Sequence, residues 1–243
     1  LTIAPSSAGG LPNGVLVAGP CDFRSLGLVA GMRVARHGDR IQVDRRLAIR
    51  LAGATPWCRA RPAVPPDHAA RRWRGRSVAV HRHAAAARGA TGILAVPRIE
   101  HHLADLALGV AMADPATAGR AAAPLVGLGP GLTPGGDDLL VGCEAPLRAI
   151  DHPMAGALAG PLRDLEARTT AISAALLAHA ARGEFSERLL DLLGALLGAD
   201  DAAVPGAIRR ASAWGASSGS DAVVRVLLGL DAALLGPAGV VAA

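Results

Sequence analysis

The rhythm of apolar and polar positions changes once along this chain. Between Val15 and Ala52 it is short and alternating. Leu47, Ile49 and Leu51 are separated by Ala48 and Arg50, the two-residue period of a strand with one wet face. Val34, Ile41 and Val43 extend that reading, and His37-Gly38-Asp39 supplies a turn between two strands. The stretch from Gly53 to Asp67 then carries Pro56, Pro62, Pro65 and Pro66, and prolines at that density break regular structure. Beyond it the Ala- and Leu-rich spacing predicts helices near His68 to Gly89, Glu100 to Ala113, Asp137 to Ile150 and Pro161 to Arg182. Further helices are expected near Ser186 to Leu197, Pro205 to Trp214 and Ser220 to Leu235. Gly183 and Gly215 stand where helices stop. No internal repeat is visible. The expected class is α+β: a small β-rich N-terminal part, residues 1–66, followed by a mainly α-helical body, residues 67–243, that carries glycine-rich loops.

Composition fixes how the core is filled. Hydrophobic residues are 51% of 243 positions but aromatics only 2%, so Ala, Leu and Val must do the packing. Every basic residue other than His is Arg, a mark of coding bias more than of function. Charge is split between the halves. Residues 1–99 hold 16 Arg and 4 acids, residues 100–243 hold 9 Arg and 16 acids, and +12 with −7 gives the net +5. Two readings stay open: the basic half docks on an acidic neighbour, or the halves neutralise each other within one fold. The densest basic run, Arg59 to Arg88, has only Trp57 and Trp73 near it, and no zinc finger, helix-turn-helix or RNP motif accompanies it. Nucleic acid is therefore not the expected partner.

Cys21, Cys58 and Cys143 are widely spaced and odd in number, which indicates neither a disulfide framework nor a zinc site. Leu1 to Gly10 has no basic segment leading into an apolar one, and Arg225, Asp231 and Pro237 interrupt the apolar C-terminal region. The expectation is a soluble cytoplasmic protein with no membrane contact.

The segment most charged with chemistry is Gly127-Leu-Gly-Pro-Gly-Leu-Thr-Pro-Gly-Gly-Asp-Asp138, reached through Leu125-Val126, which reads as a strand end. Its glycines permit positive φ and close approach of a ligand to the backbone, and its prolines stiffen it. Asp137 and Asp138 fall in the first turn of the next helix, where free N–H groups and the dipole favour carboxylate. A dinucleotide fingerprint fails because Leu132 stands at the sixth place from Gly127. A Walker A loop fails because the two aspartates follow Gly136 where Lys and Ser/Thr belong. An Asp there repels phosphate unless Mg²⁺ intervenes. The aspartate pair points to general base work, to Mg²⁺ coordination by Asp137 and Asp138, or to binding an amide or ammonium group. The plain alternative is a capped helix after a tight turn.

Two other segments add hydroxyls. Thr169 and Ser173, four apart at the start of the expected long helix, share a face, although such hydroxyls commonly bond back to their own helix. Gly215-Ala-Ser217-Ser218-Gly219-Ser220-Asp221 leads into the last helix, with Ser218 and Asp221 at capping-box spacing. Two such helix starts facing one cleft would hold a small carboxylate or other anion. The candidate ligand-binding set is Gly129, Gly131, Thr133, Gly135, Gly136, Thr169, Ser173, Ser217, Ser218 and Asp221, with Asp137 and Asp138 as the catalytic pair. His81, His83, His101 and His102 complete no metal set, and no G-x-S-x-G element marks a serine nucleophile.

Taken together, Leu125 to Gly142, Thr169 to Leu190 and Gly215 to Leu230 resemble the AllH-like family of bacterial proteins. The carrying motif is Gly-Leu-Gly-Pro-Gly-Leu-Thr-Pro before Gly-Gly-Asp-Asp, where Gly135 replaces the family's usual Ser. Arg225 stands where a small Gly is common. The resemblance implies a subunit of oxamate carbamoyltransferase, working beside other protein subunits in allantoin and purine-nitrogen breakdown. That enzyme interconverts oxalurate and phosphate with oxamate and carbamoyl phosphate. The S-x-R-T-R motif of ordinary transcarbamoylases is absent, Glu166-Ala-Arg168-Thr169-Thr170 matching only its middle. A non-catalytic binding or assembly subunit is the other function the sequence allows.

Overall fold

The computed structural model describes residues 2–19, 22–86, 99–158, 167–213 and 218–236. Its class is the expected α+β, five short strands at the N-terminal end and then a body of helices.

The alternating stretch folds as an antiparallel meander of β3 (Val34–His37), β4 (Arg40–Val43) and β5 (Leu47–Arg50). Its register sets Ile41 opposite Ile49 and Val43 opposite Leu47, so one face is apolar. The turn falls at Gly38-Asp39, where Gly38 takes φ 59° between paired His37 and Arg40. A second sheet was not foreseen. β1 (Thr2–Pro5) pairs in parallel with β2 (Gly14–Val17), joined by a single 3-10 turn and a loop.

The helices are α1 (Pro66–Ala86), α2 (Glu100–Ala111), α3 (Pro115–Ala122), α4 (Gly135–Ala149), α5 (Ala171–Ala181), α6 (Glu187–Leu197), α7 (Ala203–Ser212) and α8 (Ser218–Leu235). α3 was missed by periodicity because it is short and alanine-rich. Its start is nonetheless written locally: Asp114 caps it by accepting from Ala116 N (2.9 Å) and Pro115 opens it. Leu125 ends a 3-10 turn, not a strand, because Pro124 sits inside that turn and Val126 only begins the extended backbone. The helix expected from Pro161 begins at Ala171, since Thr170 caps it by accepting from Ser173 N (3.1 Å). The expected residues 161–166 of that helix lie outside the described residues.

α8 is the axis of the body. Val223, Val226, Leu227 and Leu230 on it are buried against α1, α2, α4 and α7. α4 and α8 cross closely because glycines lie in the contact. A Cβ on Gly142 would sit 2.5 Å from Arg225 Cβ, and one on Gly229 would sit 2.7 Å from Pro146 Cγ. α1 is keyed to α8 by the buried Asp231, which accepts from Trp73 Nε1 (2.8 Å) and meets His81 Nε2 at 2.7 Å.

Much of the charge split closes on itself. Arg76 is buried and caps the C-terminal end of α6, donating to Leu196 O (3.1 Å) and Gly198 O (3.0 Å) while pairing with Asp201 at 2.7 Å. Arg72 donates to Leu197 O. Arg59 pairs with Glu187 (3.3 Å) and Asp191, and Arg61 with Asp151 (3.5 Å). Basic residues ahead of residue 99 thus neutralise acids of the helical body, one of the two readings the sequence left open.

The N-terminal part also reaches the body. Gly10 N donates to Glu187 Oε2 (2.8 Å), Glu187 N donates to Gly10 O (2.9 Å), and Arg188 Nε donates to Ala8 O (3.0 Å). These bonds lay the β1–β2 connection on the start of α6 and bring Leu11 and Pro12 to the rim of a pocket. Among the described residues no helix is long and apolar enough to cross a membrane.

Candidate functional site

The glycine-rich loop is a closed ring of backbone fastened by one side chain. Gly127, Gly129 and Gly131 have φ of 75°, 110° and 95°, the left-handed region that L side chains avoid. Space is as decisive as torsion at Gly136, where a Cβ would lie 1.9 Å from Leu125 O. Asp137, 1% exposed, closes the ring: its Oδ1 accepts from Gly127 N (2.9 Å) and its Oδ2 from the Thr169 hydroxyl. Both aspartates sit in the first turn of α4, as the sequence indicated.

Asp137 and Asp138 therefore face different surroundings. Asp138 lines a pocket of about 90 Å³ between α4, α5, α6 and α8. Its Oδ2 lies 3.5 Å from Arg225 Nη1, and Asp221 Oδ2 lies 3.2 Å from Arg225 Nη2. One guanidinium thus bridges the starts of α4 and α8. Arg225 is 1% exposed, and among the described residues none of its Nε, Nη1 and Nη2 atoms has a hydrogen-bond acceptor. Charges are close, but donors are unspent.

The electrostatics follow from burial. Desolvation pushes the Asp138 carboxyl up to about 6, even though Arg225 pulls it down. Burial also lowers the Arg225 guanidinium from its ordinary value, against the pull of Asp138 and Asp221. Cys143, beneath Arg225, is pushed to about 12 by burial, which removes it as a nucleophile.

Other expected site residues divide. Thr133 lines the same pocket as Asp138. Gly131 and Leu132 stand exposed at the loop tip, and Thr170 holds that tip by donating to Leu132 O. Gly129 packs against Gly135, to whose N a Cβ on Gly129 would come within 3.0 Å. Thr169 and Ser173 do not form a helical stripe, because Thr169 precedes the helix and Ser173 is buried in its first turn. Thr169 serves the loop instead. Ser218 is the first residue of α8, while Ser217 lies outside the described residues.

Mg²⁺ at the aspartate pair does not fit this arrangement. Both Asp137 oxygens are taken by Gly127 and Thr169, and among the described residues no three His, Cys, Asp or Glu side chains are grouped to hold a metal.

Arg225 is the site residue that sequence reasoning did not place. In the sequence it stands only as a departure from the family motif, yet it carries a signal: a lone charge in Ala222-Val-Val-Arg-Val-Leu-Leu, four residues after Asp221. Glu184, Ser186 and Arg188 also border the pocket and were not singled out.

Residues 125–230, under half of the 243-residue chain, match the family described as "Oxamate carbamoyltransferase subunit AllH". This bears out the resemblance read from the loop motifs. Comparison with curated proteins and with solved structures gives no match.

Proposed function

We propose that this chain, whose residues 125–230 match the AllH family, serves as a subunit of an oxamate carbamoyltransferase-like enzyme and binds a small carboxylate or amide in the Asp138–Arg225 pocket. The reading is supported by the buried guanidinium, whose N–H groups have no acceptor among the described residues. Such donors are costly to leave unmade, and a carboxylate satisfies two at once.

Roles follow from placement. Arg225 receives the ligand's carboxylate. Asp138, with its carboxyl near 6, accepts from an amide N–H when ionised and donates a proton when neutral. Thr133 supplies a hydroxyl at the wall. Asp137 keeps the loop closed without touching ligand. In carbamoyl transfer from oxalurate to phosphate, a phosphate oxygen bonds the carbamoyl carbon, the C–N bond breaks, and the departing oxamate nitrogen takes a proton. In this reading Asp138 delivers that proton. The family's description as a subunit supports other protein subunits as partners, and purine or allantoin nitrogen breakdown is the metabolic setting this reading assumes.

Among the described residues no His or Cys lines this pocket, and a second reading is a binding subunit whose partner chains hold the chemistry. A thermal-shift series of the purified chain with oxamate, oxalurate, carbamoyl phosphate and phosphate, each with and without Mg²⁺, tests the site. A ligand at a hundred times its Kd stabilises the native state by about 2.7 kcal/mol. A shift with oxamate that disappears in Arg225→Met supports the site. No shift with any ligand leaves the assembly subunit.

A further inference from the structure

The pocket's walls offer hydrocarbon surface that a wholly polar ligand leaves unused. Polar side chains reach it from Thr133, Asp138, Arg225, Glu184, Ser186 and Arg188, but much of its wall is hydrocarbon, from Val141, Leu176, Phe185, Leu189, Leu192 and Ala222. Phe185 and Leu189 are themselves buried. A polar group pressed against such a wall loses water without gaining a partner, whereas a hydrocarbon group gains by leaving water.

We propose, resting on the reading that Arg225 receives a carboxylate, that this pocket also takes, and holds more tightly than oxamate, a short aliphatic monocarboxylate, its carboxylate on Arg225 and its hydrocarbon chain on the Leu176–Leu189–Leu192 wall. Size sets the length. A dry apolar cavity of about 150 Å³ admits a benzene ring. The present cavity, about 90 Å³, holds a body of three or four carbons. Charge sets the number of acid groups: Asp138 and Asp221 already flank the single guanidinium, so a second carboxylate on the ligand meets repulsion. Among the residues bordering the pocket, the remaining cation is Arg188, which already donates to Ala8 O.

Isothermal titration of the full chain with acetate, butyrate, hexanoate and oxamate reads this directly. Affinity should rise about fourfold per methylene from acetate to butyrate. It should fall again at hexanoate, and butyrate should exceed oxamate. Arg225→Met should abolish binding, and Ala222→Leu, which fills the pocket without touching its charges, should weaken butyrate at least tenfold. If Arg225→Met fails to fold, Ala222→Leu alone decides. Oxamate binding as tightly as butyrate, still dependent on Arg225, overturns the aliphatic ligand but keeps the carboxylate site. Absence of all binding, or butyrate binding indifferent to both substitutions, overturns both.

Discussion

The Thr169 hydroxyl donates to the Asp137 carboxylate across 32 positions of sequence, and the same carboxylate holds Gly127 N–H at 2.9 Å. The loop's shape therefore depends on a residue outside it. Thr169→Val removes one charge-assisted bond and should destabilise the protein by about 1–3 kcal/mol. Denaturant unfolding measures it. An unchanged midpoint would show that the loop closes without Thr169.

Gly136 tests the same ring through space. A Cβ there would lie 1.9 Å from Leu125 O, inside its van der Waals radius. Gly136→Ala should cost about 3 kcal/mol and should expose the loop to limited proteolysis. Gly131→Ala, whose Cβ meets nothing within 4 Å, should lose less, and only through its φ of 95°.

Carboxylate binding should depend on pH through Asp138. A second negative charge beside Arg225 opposes the ligand, so affinity should be highest below the value of about 6 to which that carboxyl is raised. Above it, affinity should fall about tenfold per pH unit. Asp138→Asn should flatten the profile. Titrations between pH 5 and 8 would reveal a wild-type curve already flat if Asp138 is not coupled to the ligand.

Stability should decline toward alkaline pH through Glu144. This residue is 3% exposed; its Oε1 accepts from Arg148 Nε (2.7 Å) and Gly156 N, while its Oε2 has no partner among the described residues. Burial lifts its carboxyl from 4.5 to about 7. Between those values the folded chain keeps a proton that the unfolded chain has released, so stability is highest on the acid side and is lost as pH rises through the window. The loss amounts to about 3 kcal/mol. Glu144→Gln preserves the Oε1 acceptor and should shrink the fall in Tm between pH 5 and 8.

Arg76→Met should destabilise by about 1–3 kcal/mol, because it uncaps Leu196 and Gly198 carbonyls while keeping most of the buried stem. Arg59→Met should change little, since its pairs with Glu187 and Asp191 are half exposed. Comparable losses from the two would contradict the division between a buried cap and a surface pair.

The class and the positions of most helices were legible because period and punctuation carry them: Leu47 and Ile49 alternate, and Pro66 opens the first helix. The loop's two aspartates were legible as a pair at a helix start, but not as two environments. That division arises from Thr169 and Arg225, residues 32 and 87 positions away from Asp137 and Asp138, and no local pattern encodes such distances. β1 escaped notice because four residues of mixed polarity have no period to read.

The crossing of α4 and α8 has a consequence for how this protein varies. A Cβ at position 142 and the Cβ of residue 225 would lie 2.5 Å apart, so only one of the two positions can carry a side chain at a time. Gly142 then scores as indispensable in any library of single substitutions, though what forbids change there is its neighbour. Paired libraries that set residue 225 to Gly should reopen position 142 to alanine and serine. The two sites thus trade places as one heritable unit, and a lineage can move the bulk from one helix to the other only by emptying the occupied side first.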